Sequence, residues 1–170
     1  MDNALSRAAV VVLTLACASI PVPSMAADAP AKSAVKPASS KQVERGRYLV
    51  MIAGCNDCHT PNFLVNGGKA PESDRLVGGT LGWRGPWGTT YPINLRLLFQ
   101  EMTEEQWVQT AKEIQRRPPM PYFSLNAMSG ADVRAIYAYI RHLGPAGVPA
   151  PKFLPADIEP PQPYVQFPKQ

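Results

Sequence analysis

The chain has 170 residues, with 17 Lys and Arg against 13 Asp and Glu for a net charge of +4, three cysteines and two histidines. Its basic residues are scattered rather than gathered in a stripe, so it carries no nucleic-acid footprint; so small an excess suits acidic protein partners or plain solubility. The length suits one domain, and three cysteines are too few for a disulfide-stapled secreted scaffold.

Residues 1–26 have the three-part layout of a secretory signal. Arg7 precedes an apolar run, Ala8–Ile20, and Ser24 and Ala26 stand at −3 and −1 of a cut after Ala26. The run is too short to cross a bilayer as a helix, which takes about 20 residues. Export to the periplasm is expected. The chain itself would touch a membrane only through a retained leader or a lipidated Cys17, and otherwise through a partner complex. Cleavage removes Cys17 and leaves Cys55 and Cys58 as the remaining cysteines. Residues 27–38 are Ala, Pro, Ser and Lys without periodicity and read as a flexible linker.

Three helices are predicted, each opening on a capping pattern. The first runs from Ser39, with Gln42 three residues on, to Gly54, and its apolar side is Val43, Leu49, Val50 and Ala53. The second opens at Thr103 with Gln106, presents Trp107, Val108, Ala111 and Ile114, and must stop before Pro118-Pro119. The third opens at Ser129 with Asp132, lines up Val133, Ile136, Tyr137, Ile140 and Leu143, and stops at Gly144-Pro145. The Gly-rich segment between the first two, with "GGTLGWRGPWGTTYP" at its centre, lacks alternating apolar residues and reads as loops. So long a loop inside one domain is unusual unless it wraps a large flat ligand. The domain is expected over 39–144, followed by a Pro-rich extended tail, 145–170, lying across it as a strap or disordered.

The chemistry is concentrated in "GCNDCHTP", residues 54–61. A zinc site wants four ligands, and the candidates are Cys55, Cys58, His59 and His142; adjacent residues such as Cys58 and His59 do not both reach one small tetrahedral ion easily. A redox dithiol wants a βαβ context, and no strand pattern precedes the motif. A disulfide between Cys55 and Cys58 would close a tiny loop and leave the histidine unexplained. Haem accounts for every element. Two thiols three apart at a helix end can each add to one vinyl group of the same porphyrin, and the next residue, His59, then turns its imidazole toward the iron. One covalent haem c, held by Cys55 and Cys58 with His59 as proximal ligand, is the expectation.

With "GRYLVMIAGCNDCH" at the front, "PPMPYF" later and "SGADVRAIYAYIRHLG" at the back, residues 39–143 resemble a bacterial class I c-type cytochrome. More closely, they are similar to the cytochrome c modules of periplasmic membrane-bound dehydrogenases. The resemblance implies an all-α cytochrome c fold, about three main helices and long loops wrapped around one haem. Gly46 and Tyr48 of the first helix would then cross the last helix near Tyr137 and Tyr139. It points to Met120 in "RRPPMPYF" as distal iron ligand; flanking prolines stiffen that loop, and a thioether ligand raises the reduction potential. Met102, Met128 and His142 are the alternatives. Pro71, twelve residues after the histidine, is implied as the carbonyl partner of His59. Trp83, Arg84, Trp87, Tyr91 and Asn94 are candidates for packing the haem edge and bonding its propionates, though this loop departs from the mitochondrial pattern.

The function expected from this is one-electron transfer between a donor, a dehydrogenase or quinol-oxidising complex, and an acceptor such as an oxidase or other reductase. The chain would be a carrier for redox partner proteins rather than an enzyme. Two alternatives stay open: a haem enzyme or sensor with an exchangeable sixth ligand, and a fixed electron-transfer subunit of a dehydrogenase complex.

Overall fold

The computed structural model describes residues 38–168. The expected leader 1–26, with Cys17, and the linker up to residue 37 lie outside the described residues. The described part is mostly helical, with six α-helices and one three-stranded sheet. The helices are α1 Ser40–Ile52, α2 Cys55–His59, α3 Leu95–Leu98, α4 Glu104–Glu113, α5 Tyr122–Ala127 and α6 Gly130–Leu143; a 3₁₀ turn covers Glu72–Asp74.

The long helices start where their caps predict. Ser39, Thr103 and Ser129 each accept a hydrogen bond on the side-chain oxygen from the third residue on, and at Thr103 the Gln106 side chain returns the bond to the cap N–H. α6 stops at Gly144, whose φ of 70° a side chain would resist. α4 ends at Glu113, and Ile114, predicted on its apolar face, is instead the extended residue that follows. The Asn126 amide takes up the carbonyls left free there, those of Ala111 at 2.8 Å and Ile114 at 3.3 Å.

The core forms around α6, in which every residue from Ala135 to Ile140 is buried. α1 lies against it along the stripe Val43, Gly46, Leu49 and Val50. At Gly46 the two backbones almost touch, since a Cβ there would sit 2.0 Å from the Ala135 carbonyl oxygen and 2.7 Å from Tyr139 Cβ. The expected crossing is therefore present at Gly46 and Tyr139. Tyr48 does not join it: two residues on, it points about 200° around the helix from Gly46 and is 53% exposed. On the other side of α6 an aromatic cluster closes the core. The Phe99 ring lies 4.6 Å from that of Trp107 and 5.6 Å from that of Tyr137, and the Trp107 indole donates to the Val133 carbonyl at 2.9 Å.

The all-α expectation needs correction in the glycine-rich segment and the tail. β1 Gly82–Gly85 and β2 Gly88–Thr90 form an antiparallel hairpin closed by Pro86-Trp87. β3 Tyr164–Gln166, from the Pro-rich tail, pairs parallel with β1, and the order is β2-β1-β3. Leu154 bridges to Thr89 on the opposite edge, so the tail closes both edges of the hairpin. Strands this short, with glycine at both ends of β1 and at the start of β2, have too few side chains to display an alternating pattern.

The 3₁₀ turn is fastened to both long helices through one carboxylate. Glu72 accepts from Arg47 Nε of α1 at 2.9 Å and from the Tyr139 hydroxyl of α6 at 2.8 Å. Burial alone would raise the Glu72 pKa, but the Tyr139 hydroxyl and the Arg47 charge outweigh it and hold the carboxyl below its ordinary 4.5. A folded value below the unfolded one means stability that is present above pH 4.5 and lost as pH falls through the depressed folded value. Glu72→Gln is accordingly expected to lower the melting temperature at neutral pH. It should also flatten the fall in melting temperature on acidification below 4.5, as followed by circular dichroism across a pH series.

Candidate haem site

The attachment motif forms its own helical turn. α1 ends at Ile52, and Gly54, at φ 68° and ψ 20°, redirects the chain into α2. Within that turn Cys55 and Cys58 are three residues apart and so lie on one face. Both are free thiols and half-buried. Burial pushes the Cys55 thiol up to about 11, and burial with the neighbouring Asp57 charge also raises Cys58. The pair is therefore protonated at neutral pH, unlike the thiolate of a redox dithiol. Among the described residues no three His, Cys, Asp or Glu side chains converge to hold a metal ion.

His59 is 8% exposed, and its Nδ1 lies 2.8 Å from the Ile93 carbonyl oxygen. A carbonyl only accepts, so this contact assigns the ring proton to Nδ1 and leaves the Nε2 lone pair available. Burial lowers the imidazole pKa, with the Ile93 bond opposing it only in part, so the ring is neutral and ligand-competent. The expected partner was Pro71. Its carbonyl instead accepts from Asp74 N at the head of the 3₁₀ turn, at 3.0 Å. The twelve-residue offset fails because residues 62–68 close into compact turns, with positive φ at Asn62, Gly67 and Gly68 around the buried Phe63, and carry Pro71 to the 3₁₀ turn.

A second layer locks the motif in place. Thr60 Oγ1 donates to Asn56 Oδ1 at 2.8 Å and accepts from Leu76 N at 2.9 Å, and Asn56 and Thr60 are both almost wholly buried. Gly78 N donates to the His59 carbonyl at 2.8 Å. At Gly78, with φ 81°, a Cβ would lie 2.8 Å from Asn94 N and from the Pro92 carbonyl oxygen and 2.9 Å from Ile93 C. The imidazole is thus held in a closed ring that runs from the His59 main chain through Gly78 to Ile93 and back to the His59 side chain. None of Asn56, Thr60, Gly78 or Ile93 was singled out from sequence. The four-residue Asn56–Thr60 spacing on a helical turn was the available signal for the first two; a backbone carbonyl such as that of Ile93 has none.

The remaining candidates divide by what their polar groups do. Asn94 Oδ1 caps α3 by accepting from Leu97 N at 3.0 Å, and its Nδ2 donates to the Ala146 and Val148 carbonyls at 2.8 and 3.1 Å. Arg84 pairs with Glu159 of the tail, 5.7 Å from the Tyr164 ring centroid. Both residues are candidates for the haem edge and its propionates; in this structure the Asn94 amide and Arg84 Nη1 are engaged with the tail, which sequence alone did not place beside them. Tyr91 is buried against Gly82. Trp83 and Trp87 flank Phe167 at 6.1 and 5.2 Å, and each has a buried indole N–H without an acceptor. Met120 is half-buried in the loop between α4 and α5, where Thr90 Oγ1 fastens the Pro118 carbonyl at 3.0 Å. Met102 and Met128 pack against the core, and His142 is exposed in the last turn of α6.

These residues fit a covalently held haem. Two protonated, unbridged thiols share one helical turn, and the next side chain is a neutral imidazole with Nε2 free. The indole N–H groups of Trp83 and Trp87, beside Phe167, lack an acceptor, each at a cost of about 1–3 kcal/mol while unpaired. No protein-family profile matches the chain, and no solved structure matches it. Among curated proteins it is 30% identical over 129 residues to the fructose dehydrogenase cytochrome subunit of Gluconobacter japonicus, covering 68% of this chain and 25% of that protein. It is 29% identical over 125 residues to one of the nicotinate dehydrogenase subunits of Pseudomonas putida, covering 66% and 10%. With the cytochrome c subunit of the quinone alcohol dehydrogenase of Komagataeibacter europaeus it shares 30% identity over 115 residues, covering 62% and 22%. The chain therefore resembles segments of two dehydrogenase cytochrome subunits and of one further dehydrogenase subunit, and spans a quarter or less of the length of each.

The closed ring around the imidazole makes Gly78 the sensitive glycine of this region. Gly78→Ala combines positive φ with backbone overlap and is expected to reduce the free energy of urea unfolding by about 3 kcal/mol. Gly67→Ala, also at positive φ but with nothing within 4 Å, should reduce it by only about 1 kcal/mol.

Proposed function

We propose that this chain is a one-electron transfer module of a dehydrogenase system, with one haem c attached through Cys55 and Cys58. His59 Nε2 would be the proximal iron ligand and Met120 Sδ the distal one. Such a haem, when bound, supplies an Fe(III)/Fe(II) couple; the chain's own residues hold it, orient it and restrict water. The observation that carries the reading is the imidazole anchored by Nδ1 to the Ile93 carbonyl at 2.8 Å beside two free thiols on a single turn. That contact fixes both the tautomer and the ring plane that an axial ligand requires.

Met120 suits the distal position by its chemistry and its setting. A soft thioether between Pro119 and Pro121, in a loop fastened to β2, has little freedom to leave once bound. Two protein ligands keep the coordination shell alike in both oxidation states, which favours electron transfer over catalysis on a substrate. The dehydrogenase cytochrome subunits among the relatives favour a fixed subunit, receiving electrons from a catalytic partner, over a free shuttle. The signal-like layout of residues 1–26 supports a periplasmic location, with cleavage after Ala26 as the corresponding proposal.

The test is expression of the full chain for export together with a haem-attachment system. The purified protein should stain for haem on a denaturing gel, and Cys55→Ser combined with Cys58→Ser should abolish the stain. A colourless product with two titratable thiols would overturn the reading. Met120→Ala should keep the stain, lose the thioether-to-iron(III) charge-transfer band at the red end of the spectrum, and bind cyanide or CO readily. An unchanged spectrum in that variant removes Met120 as the ligand.

A further inference from the structure

The junction between α6 and the tail lies directly behind the peptide that anchors the imidazole. α3 is a single turn, yet its first two polar side chains take up four carbonyls of residues 143–148. Arg96 donates through Nε to Gly144 at 2.6 Å and through Nη2 to Leu143, and Asn94 donates to Ala146 at 2.8 Å and Val148 at 3.1 Å. Gly147, between those last two acceptors, has φ 72°, and a Cβ there would lie 3.0 Å from Asn94 Nδ2 and 3.0 Å from Val77 Cβ. The tail is therefore seated on the two residues, 77 and 94, that adjoin Gly78 and Ile93.

The Ile93 carbonyl and the Asn94 nitrogen belong to one planar peptide unit. Turning that carbonyl away from His59 would swing Asn94 N, and the Gly78 backbone runs so close to that atom that a Cβ added there would lie 2.8 Å from it. Asn94 is held by three side-chain hydrogen bonds, one to its own helix and two to the tail. We propose that Asn94 is a positioning residue for His59, through which the seated tail sets the direction and strength of the imidazole's bond to the Ile93 carbonyl. This rests on the reading of His59 as the iron ligand. A firm Nδ1–H bond to a carbonyl raises the basicity of Nε2 and so favours the oxidised iron. Loosening it shifts the couple toward the reduced form.

The experiment is a spectroelectrochemical titration of the haem-loaded full chain against a one-electron mediator, with melting temperatures measured in parallel. Asn94→Ser keeps an oxygen to cap α3 but removes both donors to the tail. Gly147→Ala disturbs the same contact from the tail side and carries the test if the first variant fails to accumulate. Each should shift the equilibrium at least threefold toward the reduced protein, about 28 mV at 59 mV per decade for one electron. Thr103→Ala, which breaks the capping box of α4, should lower the melting temperature and leave the potential unmoved. A stained, folded Asn94→Ser or Gly147→Ala protein with the parent potential overturns the positioning role, as does an equal shift in Thr103→Ala. A parent chain that does not stain overturns instead the haem reading beneath it.

Discussion

The close approach of α1 and α6 at Gly46 is the constraint from which the rest of the molecule follows. With no side chain between them, the two backbones meet at the Ala135 carbonyl, and Tyr139 packs directly beside the contact. That contact sets where α1 ends, hence where Gly54 turns the chain into the Cys55–His59 turn. A methyl group at position 46 would push α1 outward and carry the attachment turn with it, because only Ala53 and Gly54 separate the two helices. The position of the thiols is thus decided by packing more than two helical turns before them in the chain.

The segment from Thr60 to Asn94 has little regular structure and is held by a different kind of force. Its ties are buried polar hydrogen bonds: Thr60 to Leu76, Gly78 to the His59 carbonyl, and Leu95 N to the Leu76 carbonyl at 3.0 Å. Each contributes only about 1 kcal/mol net when formed but leaves a costly unpaired group when broken. Such a network specifies one arrangement more strongly than it stabilises it. That is the property a site needs when a ring nitrogen must point in a single direction.

How much of this was legible from sequence depends on the range over which each feature is determined. The caps at Ser39, Thr103 and Ser129, the stop at Gly144 and the cysteine–histidine motif are local patterns, and the helices start and stop accordingly. The hairpin was missed because Gly82, Gly85 and Gly88 carry no side chains to pattern and its third strand comes from the distant tail. The Pro71 expectation failed because an offset carried over from another loop does not survive a change in that loop's turns. The contacts that Arg84 and Asn94 make were not legible for a related reason. Both were candidates for the haem edge, and the acceptors they meet lie 52 and 75 residues further along the chain, at Ala146 for Asn94 and Glu159 for Arg84. Residue type alone does not reveal a partner at that distance.

Arg96 shows how the two regimes are joined. The residue is 5% exposed and its guanidinium has no carboxylate partner among its hydrogen bonds, which would ordinarily make burial of the charge prohibitive. Instead it donates to three carbonyls: Leu143 and Gly144 at the end of α6, and Ser73 in the 3₁₀ turn at 2.6 Å. The first two are among the orphaned acceptors at a helix C-terminus, where the dipole favours a cation. One buried charge therefore satisfies the end of the helix that organises the core and, through Ser73, the turn that carries Glu72. Because Arg96 stands two residues after Asn94 on the same single turn, the helix end, the tail and the peptide that holds His59 are positioned as one unit. A lysine would supply the charge but not the planar fork that reaches three carbonyls from separate segments, so the coupling depends on the guanidinium geometry as well as on its sign.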